Sequence, residues 1–284
     1  MFRINTILLT LFLATTQATA ISSTHTSFVW NDINTREVIR WEGDIAVVQQ
    51  GTSMQELSCR IKIDDSDVDF AIHSFGIPKS WTSFSYQTDE ELVQKQKELK
   101  QNAAKHGISM HHDGNRFSVH YDWVISKSKR SLQDAAKTIR SSARRNGYRS
   151  KRELVGAFTA FVQSLTYRIP ADHRMNDEGE KILTAGAMMP LETLSKQWGD
   201  CDSKCMLFAS LVQSIDLVDV CFVVINDHIF AGVQMRAQQD DHVVRHKNKD
   251  WILVELTDSW PIGRVPTNHL NGVILGNYEV VELQ

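Results

Sequence analysis

The chain lacks most of the patterns by which metal, nucleotide and nucleic-acid sites are recognised in a sequence. Its 284 residues include only four cysteines, and no two of them form a CxxC pair, which argues against a zinc site. No glycine-rich phosphate loop and no nucleic-acid-binding motif occurs, and the formal net charge is only −3. These absences predict a protein without metal, cofactor or nucleic-acid partner. The composition, 42% hydrophobic and 23% charged, is typical of a folded globular chain.

Long hydrophobic runs are also missing, apart from one short stretch near the first residue. The first twenty residues combine a basic start at Arg3, an apolar stretch over residues 7–14 and the small-residue ending ATA. This pattern is typical of a secretory signal peptide cleaved after Ala20. The competing interpretation is a membrane anchor, but the stretch is shorter than the roughly 20 residues that span a bilayer. We therefore expect residues 1–20 to be a signal peptide and the protein to be exported, either periplasmic or secreted.

An exported protein with four cysteines can carry two disulfides. Cys201 and Cys205 lie four residues apart in a segment with helical periodicity, which is a poor geometry for a bridge between them. A bridge between Cys205 and Cys221 remains open.

Residues 21–126 predict an N-terminal α+β accessory domain. The segments VIRWEGDIAVV and LSCRIKI alternate between apolar and polar residues as strands do. A helix is predicted over residues 88–106, because Thr88 and Glu91 form a capping box and Gly107 follows the last turn. The role of this domain does not follow from its sequence.

The segment HHDGNRFSVHYDW predicts a hairpin that turns at Asp113-Gly114. His111, His112 and His120 lie around this turn, close to Asp113 in sequence. Such a cluster can bind a metal ion, but an exposed polar hairpin tip is the favoured interpretation.

Residues 127–284 have a different texture and predict a second domain. Its first helix ends at Asn146-Gly147 and has an apolar face made of Leu132, Ala135, Ala136, Ile139 and Ala143. Its second helix begins at Ser150, where Glu153 completes a capping box.

Residues 127–152 are strongly basic, with ten Lys or Arg and one Asp. One interpretation is a patch that binds an anionic surface of the cell envelope. The other is the solvated faces of two amphipathic helices, and we favour it.

The stretch QWGDCDSKCMLF places Cys201 between two aspartates and before an apolar run. A buried helix beginning at or just after Asp200 is predicted by residues at helical spacing, namely Cys201, Cys205, Phe208, Val212 and Ile215. Three strands follow, VDVCFVVI, HIFAGVQM and DWILVEL, and we expect them to pair antiparallel. The charged segment DDHVVRHKNKD, with His242 and His246, predicts a solvated loop between the second and third strands.

Cys201 allows several interpretations: a structural thiol, a disulfide partner, a metal ligand or a nucleophile. A thiol at a helix N-terminus faces the positive end of the helix dipole, which favours the nucleophilic thiolate. His228 opens the second of the three strands, and Glu255 lies in the third. On adjacent strands the two side chains can converge, as general base and as the acceptor that orients the imidazole. The residues alone leave a buried structural thiol as the simpler interpretation.

The segment PLETLSKQWGDCDSKCMLFASLVQSI resembles the core motif of the bacterial transglutaminase-like cysteine peptidase superfamily. Members show P-x-E-T-L, then G-D-C-[DE]-[DS]-K at the head of a helix, a His that opens a strand, and a W-x-x-x-D-x-T strand. The matching residues here are Pro190, Glu192, Thr193, Leu194, Gly199, Asp200, Cys201, Asp202, Ser203, Lys204, His228, Trp251, Glu255 and Thr257. The resemblance covers about residues 132–258, roughly half of the mature chain.

The resemblance implies an α+β fold with a papain-like core, in which helices pack on an antiparallel sheet. It also implies a catalytic triad of Cys201, His228 and Glu255, which makes residues 127–284 the catalytic domain. The third member is usually Asp in the family, so Asp258, three residues further on, is the reserve candidate.

Three further residues are candidates for a second oxyanion donor or for the cleft wall, namely Gln163, Tyr167 and Trp198. Packing is the simpler role for each of them. Some bacterial members of the superfamily use calcium. Neither the acids around Cys201 nor residues 172–180 form a recognisable calcium loop.

The function implied by the resemblance is that of an exported thiol-dependent amide hydrolase, a cysteine peptidase with a protein or peptide substrate in the cell envelope. Cys201 would attack the amide, His228 would protonate the leaving amine, and water would resolve the thioester. The same triad serves acyl transfer to an amine, as in a crosslinking protein-glutamine acyltransferase. A non-catalytic binding or scaffold protein of the envelope is the third alternative.

Overall fold

The computed structural model describes residues 22–34, 36–42, 45–51, 54–111 and 116–283, and these residues form a mixed α+β fold. The predicted signal peptide and the predicted hairpin turn lie outside them. In this part of the chain, no helix is both long enough and apolar enough to cross a bilayer.

The described helices and strands follow one another in a mixed order. The helices are α1 (Asp65–Ser74), α2 (Asp89–Ala104), α3 (Tyr121–Arg145), α4 (Lys151–Gln163), α5 (Pro190–Lys196), α6 (Cys201–Gln213) and α7 (Thr267–Ile274). The first strands are β1 (Ser23–Asp32), β2 (Arg36–Glu42), β3 (Ile45–Gly51), β4 (Gln55–Asp64), β5 (Ile77–Pro78), β6 (Ile108–Met110), β7 (Phe117–Val119) and β8 (Thr166–Tyr167). The later strands are β9 (His173–Met175), β10 (Lys181–Leu183), β11 (Trp198–Gly199), β12 (Val220–Val224), β13 (Ile229–Val233), β14 (Val243–His246), β15 (Lys249–Val254) and β16 (Glu279–Glu282).

Helix starts follow the capping signals in the sequence. At α4, Ser150 Oγ accepts a hydrogen bond from the Glu153 backbone N–H, and the Glu153 carboxylate accepts one from the Ser150 N–H. At α2, Thr88 Oγ1 accepts from the Glu91 N–H, but the Glu91 carboxylate accepts from the Gln87 N–H. Both predicted helices are therefore confirmed, and one of the two predicted capping boxes is complete.

A five-stranded antiparallel sheet, in the order β14-β15-β13-β12-β16, lies in the second half of the chain. The predicted antiparallel pairing of β12, β13 and β15 is confirmed. The prediction of a solvated loop around His242 and His246 is wrong in part, because residues 243–246 form edge strand β14. Val244 is only 2% exposed and packs with Trp251 of β15, which holds this charged segment on the sheet.

The sheet is covered on both faces by helices. Ile229 and Ala231 of β13 belong to the main core, which includes the buried residues of α4 and α6. Phe230, between them, points to the opposite face, where α7 packs through Leu270 and Val273. Alternation along β13 therefore decides on which side of the sheet each of its side chains lies.

The N-terminal strands share the main core with the later helices. β1 pairs with β4 antiparallel, and the two contact α4 and α3 respectively. Phe28 and Trp30 of β1 pack on Phe161 of α4, with ring centroids 5.1 and 5.2 Å apart. The predicted boundary between residues 126 and 127 lies inside α3, and the division into two domains stays a prediction.

All four cysteines are free thiols. Cys205 is buried in the main core, on the α6 side of the sheet, whereas Cys221 is buried on the α7 side. A bridge between them, which the sequence left open, is not formed because the sheet separates the two sulfurs.

Candidate active site

Cys201 is the first residue of α6, as the sequence predicts. The Asp200 side chain caps the helix by accepting a hydrogen bond of 3.0 Å from the Ser203 backbone N–H. Cys201 is partly buried, and its backbone lies in the first turn, where N–H groups have no partner within the helix.

The surroundings of the thiol are acidic. Cys201 Sγ donates to Asp202 Oδ2 at 3.6 Å, and Asp202 Oδ1 accepts a short hydrogen bond from the Tyr121 hydroxyl. Burial, followed by the charges of Asp202 and Asp200, raises the pKa of Cys201 to about 12. These effects outweigh the helix dipole, which equals only about half a charge. The resting thiol is therefore protonated, which opposes the thiolate expected from the sequence.

His228 and Glu255 form a buried pair at the end of the sheet. His228 precedes β13, Glu255 follows β15, and His228 Nε2 lies 2.8 Å from Glu255 Oε2. Glu255 Oε1 accepts two further bonds, of 2.7 Å from the Thr257 N–H and 2.6 Å from its hydroxyl. Burial raises the pKa of Glu255, but the bonds and charge of His228 and the Thr257 bonds outweigh it and hold that pKa below its ordinary value.

Two other rings hold the imidazole of His228. The Phe230 ring lies edge-on at 4.7 Å, and the His269 ring is stacked at 4.3 Å with an interplanar angle of 25°. Both neighbours lie on the α7 side of the sheet, as Glu255 does by the alternation along β15. The pair therefore faces α7.

Cys201 approaches this pair from the other side of the sheet. One turn further along α6, the thiol of Cys205 donates to the backbone carbonyl of Ile229, next to His228, at 3.5 Å. This contact fixes the start of α6 near the end of β13. Among the described residues, however, Cys201 and His228 are not hydrogen-bonded to each other, since the Cys201 thiol is bonded to Asp202. The structure thus joins two of the three predicted triad members and places the third close to the same end of the sheet.

Gln163 supports the site and is not free to act as an oxyanion donor. Its side-chain amide donates to the backbone carbonyls of Glu255, at 2.8 Å, and Trp260, at 2.7 Å. Both amide hydrogens are thereby used. The side chain positions the segment that carries Glu255, a structural role of the kind that the sequence analysis gave as the simpler one for Gln163.

Tyr167 and Trp198 lie on neighbouring short strands beside the start of α6. β8 and β11 pair in parallel, with Tyr167 opposite Gly199. Tyr167 is 48% exposed, and partial burial and then the nearby charges of Cys201, Asp200 and other acids raise its pKa. It therefore lies close enough to the thiol to remain a cleft candidate.

Trp198 forms an aromatic surface covered by cations. The Arg168 guanidinium lies 4.8 Å from its ring centroid and the Lys196 ammonium 5.8 Å. This agrees with a wall position beside the cysteine and not with a donor directed at a reacting oxygen.

Asp258, the reserve for the third triad position, is exposed and accepts a hydrogen bond from the Ser259 N–H. The partner of His228 in the structure is Glu255. The extra methylene of glutamate, relative to the usual aspartate, is therefore accommodated.

Lys204 is fully buried inside the matched G-D-C-D-S-K segment. Its ammonium donates to the carbonyls of Leu165, at 2.7 Å, and Gln163, at 3.4 Å, at the C-terminal end of α4. Burial lowers its pKa to about 8. The lysine ties α6 to the end of the helix that carries Gln163, so it positions the site.

Two groups of side chains have spacings that suit a metal ion. One is Asp200, Cys201 and Asp202, and the other is His228, Glu255 and His269; within each group the donor atoms lie within 4.8 Å of one another. The histidine cluster weighed at the predicted hairpin falls partly outside the described residues.

Three contributors to the site were not identified from the sequence. Tyr121 reaches Asp202 across 81 positions of chain, and no local pattern marks that contact. His269 lies in α7, a helix outside the matched segment. The burial of Lys204 could have been predicted from the sequence, because helical spacing places it on the same face of α6 as Cys201 and Phe208.

We expect Asp202→Asn to raise the rate at which iodoacetamide labels Cys201 at pH 8. The change removes the nearest negative charge, so the pKa of the thiol falls. While the pKa stays above the pH, the fraction of thiolate rises about tenfold for each pH unit by which the pKa falls. The rate is read by mass spectrometry of the Cys201 peptide. Asp258→Asn, which changes an exposed carboxylate in the same way, should leave the rate unaltered. Equal labelling in wild type and Asp202→Asn would show that Asp202 does not control the thiol.

Comparison of the chain with protein-family models, with curated proteins and with solved structures gives no match in any of the three. The resemblance to the transglutaminase-like superfamily therefore stays a prediction, carried by the motif residues and by the geometry described above.

Proposed function

We propose that the protein is an exported thiol-dependent amide hydrolase of the cysteine peptidase type, with Cys201 as nucleophile, His228 as general acid and base, and Glu255 as the orienting acceptor. The observation that carries the proposal is the buried His228–Glu255 pair. A carboxylate fixed by Thr257 on one oxygen and bonded to an imidazole on the other is the arrangement that orients a catalytic histidine.

The chemistry assigns a role to each nitrogen of His228. Nε2 bonds Glu255, which leaves Nδ1 to accept the proton of the Cys201 thiol. The thiolate then attacks the amide carbonyl, the imidazolium protonates the leaving amine, and water hydrolyses the thioester. This series of reaction steps requires the Cys201 thiol to leave Asp202 and to meet Nδ1 of His228 at the end of the sheet.

Two features of the fold support a papain-like core. A buried helix with a cysteine at its N-terminus, α6, packs on an antiparallel sheet, and the sheet carries the histidine and the carboxylate on adjacent strands β13 and β15. The substrate class proposed on this basis is a protein or peptide of the cell envelope.

The second candidate is a non-catalytic binding or scaffold protein. One observation favours it: the Cys201 thiol is bonded to Asp202, and its pKa is raised to about 12. A thiol in this state is inert unless substrate or a side-chain movement brings it to the histidine.

The pH dependence of iodoacetamide labelling at Cys201 separates the two candidates. The measurement uses the mature wild-type protein, His228→Ala and the control His246→Ala, in which a partly buried His–Glu pair of the same 2.8 Å separation is removed. A hydrolase requires the thiol to leave Asp202 and to form an ion pair with His228. If it does so in the free protein, Cys201 labels below pH 8.5, the ordinary pKa of a thiol being about 8.5, and His228→Ala alone loses this labelling. Labelling that is slow at neutral pH and identical in all three proteins would favour the scaffold.

A further inference from the structure

His269 has no role in the proposed hydrolysis, yet it lies against the centre of the site. Its ring is stacked on that of His228 at 4.3 Å, and it also meets Phe230 at 6.1 Å. Its Nδ1 atom is buried and, among the described residues, has no hydrogen-bond partner. A buried imidazole nitrogen without a protein partner has a donor or acceptor position that a ligand can use.

We propose that His228, Glu255 and His269 form a binding site for a divalent cation of the zinc class. Two imidazoles and one carboxylate are a frequent ligand set of zinc sites that keep a fourth position open for water. One donor atom from each of the three residues lies within 4.8 Å of the others. Among the described residues, no other cluster of two histidines and a carboxylate has its donor atoms this close together.

The donor atoms of the three residues need to move only a short distance to bind one zinc ion. Zinc bonds to nitrogen and oxygen are about 2.0–2.2 Å long, so ligand atoms at the tetrahedral angle lie about 3.4 Å apart. His228 Nε2 and Glu255 Oε2, now 2.8 Å apart, must separate slightly, and His269 must turn Nδ1 toward them. This rotation ends the stacking of His269 on His228, and it takes place in the first turn of α7, a helix without fully buried residues.

The carboxylate is already held as a metal ligand would be. Thr257 donates two hydrogen bonds to Glu255 Oε1 and leaves Oε2 as the atom that points at the histidines. Gln163 fixes the backbone of the same residue through the Glu255 carbonyl. Hydrogen-bond partners of this kind orient the side chains that bind a metal directly, and they raise its affinity.

Metal binding has a defined consequence for the proton on His228. The cation replaces the proton on Nε2. If the ring is an imidazolium, that proton goes to solvent and Nδ1 keeps its own; if the ring is neutral, the Nε2 proton moves through solvent to Nδ1. In both cases Nδ1 carries a hydrogen and has no lone pair for the thiol proton of Cys201. This inhibition rests on the proposed hydrolase function, whereas the binding itself does not.

The test uses zinc chloride alone and isothermal titration calorimetry of the mature chain in the Cys201→Ser background. That background removes the nearest competing thiol ligand and makes the measurement independent of catalysis. We expect one zinc per chain. His269→Phe, which keeps a stacked ring without nitrogen, should weaken binding by at least about tenfold, the smallest loss seen when even an outer partner of a ligand is removed.

His246→Phe is the matched control, since it removes the other His–Glu pair at 2.8 Å and should bind zinc as the parent does. Zinc-edge X-ray absorption of the parent chain should count two imidazole nitrogens, a result that does not depend on whether any variant folds. Absence of stoichiometric binding, one imidazole or none, or unchanged affinity in His269→Phe would each overturn the site. If zinc binds as expected but Cys201 labels without dependence on His228, the cation site stands and the hydrolase proposal fails.

Discussion

Replacement of Glu255 by glutamine is expected to slow amide hydrolysis by about 10⁴-fold, the loss that the equivalent change produces in a serine-protease triad. Glu255 Oε2 accepts from the Nε2–H of His228, which leaves Nδ1 free to take the thiol proton. A glutamine amide can present its own N–H₂ to Nε2 and stabilise the opposite tautomer, with the hydrogen on Nδ1. It also removes the charge that stabilises the imidazolium.

The measurement is the steady-state rate on a protein or peptide substrate that the wild-type chain cleaves. Asp258→Asn is the control of equal chemistry, because Asp258 is exposed and bonded only to the Ser259 N–H among its described hydrogen bonds. It should retain the wild-type rate. A Glu255→Gln enzyme with more than a tenth of that rate would remove Glu255 from the triad.

The same variant tests the electrostatics of the pair without any substrate. The pKa of Glu255 is lower in the folded protein than its ordinary value near 4.5. The unfolded chain therefore binds more protons between the two values, and folded stability rises with pH across that window. Wild-type protein should lose this part of its free energy of unfolding as the pH falls below about 4.5, whereas Glu255→Gln should not, as urea unfolding at pH 3 and pH 6 would show.

Local signals in the sequence were sufficient for the elements that carry the site. Asp200 caps α6 as expected, and the strands before Glu255 and after His228 pair antiparallel, which brings those two side chains together. Capping and alternation depend on residues a few positions apart, so a sequence pattern contains them.

Contacts between distant segments account for what the sequence did not predict. The electrostatics of Cys201 depend on Asp202, which Tyr121 holds from the start of α3, and on burial under the completed fold. The helix dipole was visible in the pattern, but the opposing carboxylates act at a strength that only burial determines. Strand β14 was missed for a similar reason, because one buried valine holds an otherwise charged segment on the sheet edge.

Phe161→Ala is expected to reduce the free energy of unfolding by about 3–5 kcal/mol, the usual loss for a buried aromatic side chain. Phe161 is completely buried in α4 and packs against Phe28, with rings tilted at 56°, and against Trp30, with rings nearly perpendicular at 84°. Removal of the ring would leave a cavity between β1 and α4. Chemical denaturation followed by tryptophan fluorescence and circular dichroism measures the change.

Phe70→Ala is the matched control, because this phenylalanine is 73% exposed and its loss should alter stability by no more than about 0.5 kcal/mol. A double-mutant cycle with Phe28→Ala should give a coupling energy of about 0.5–3 kcal/mol, since the two rings touch.

The same measurements decide whether the chain folds as one domain or as two. If residues 21–126 and 127–284 fold as one unit, both probes report a single transition, and Phe161→Ala lowers it as a whole. Independent domains would give a different result. Phe161→Ala would then lower the free energy of unfolding by less than about 1 kcal/mol, and its effect would be additive with that of Phe28→Ala. The reason is that loss of this ring from a shared core must destabilise both β1 and α4.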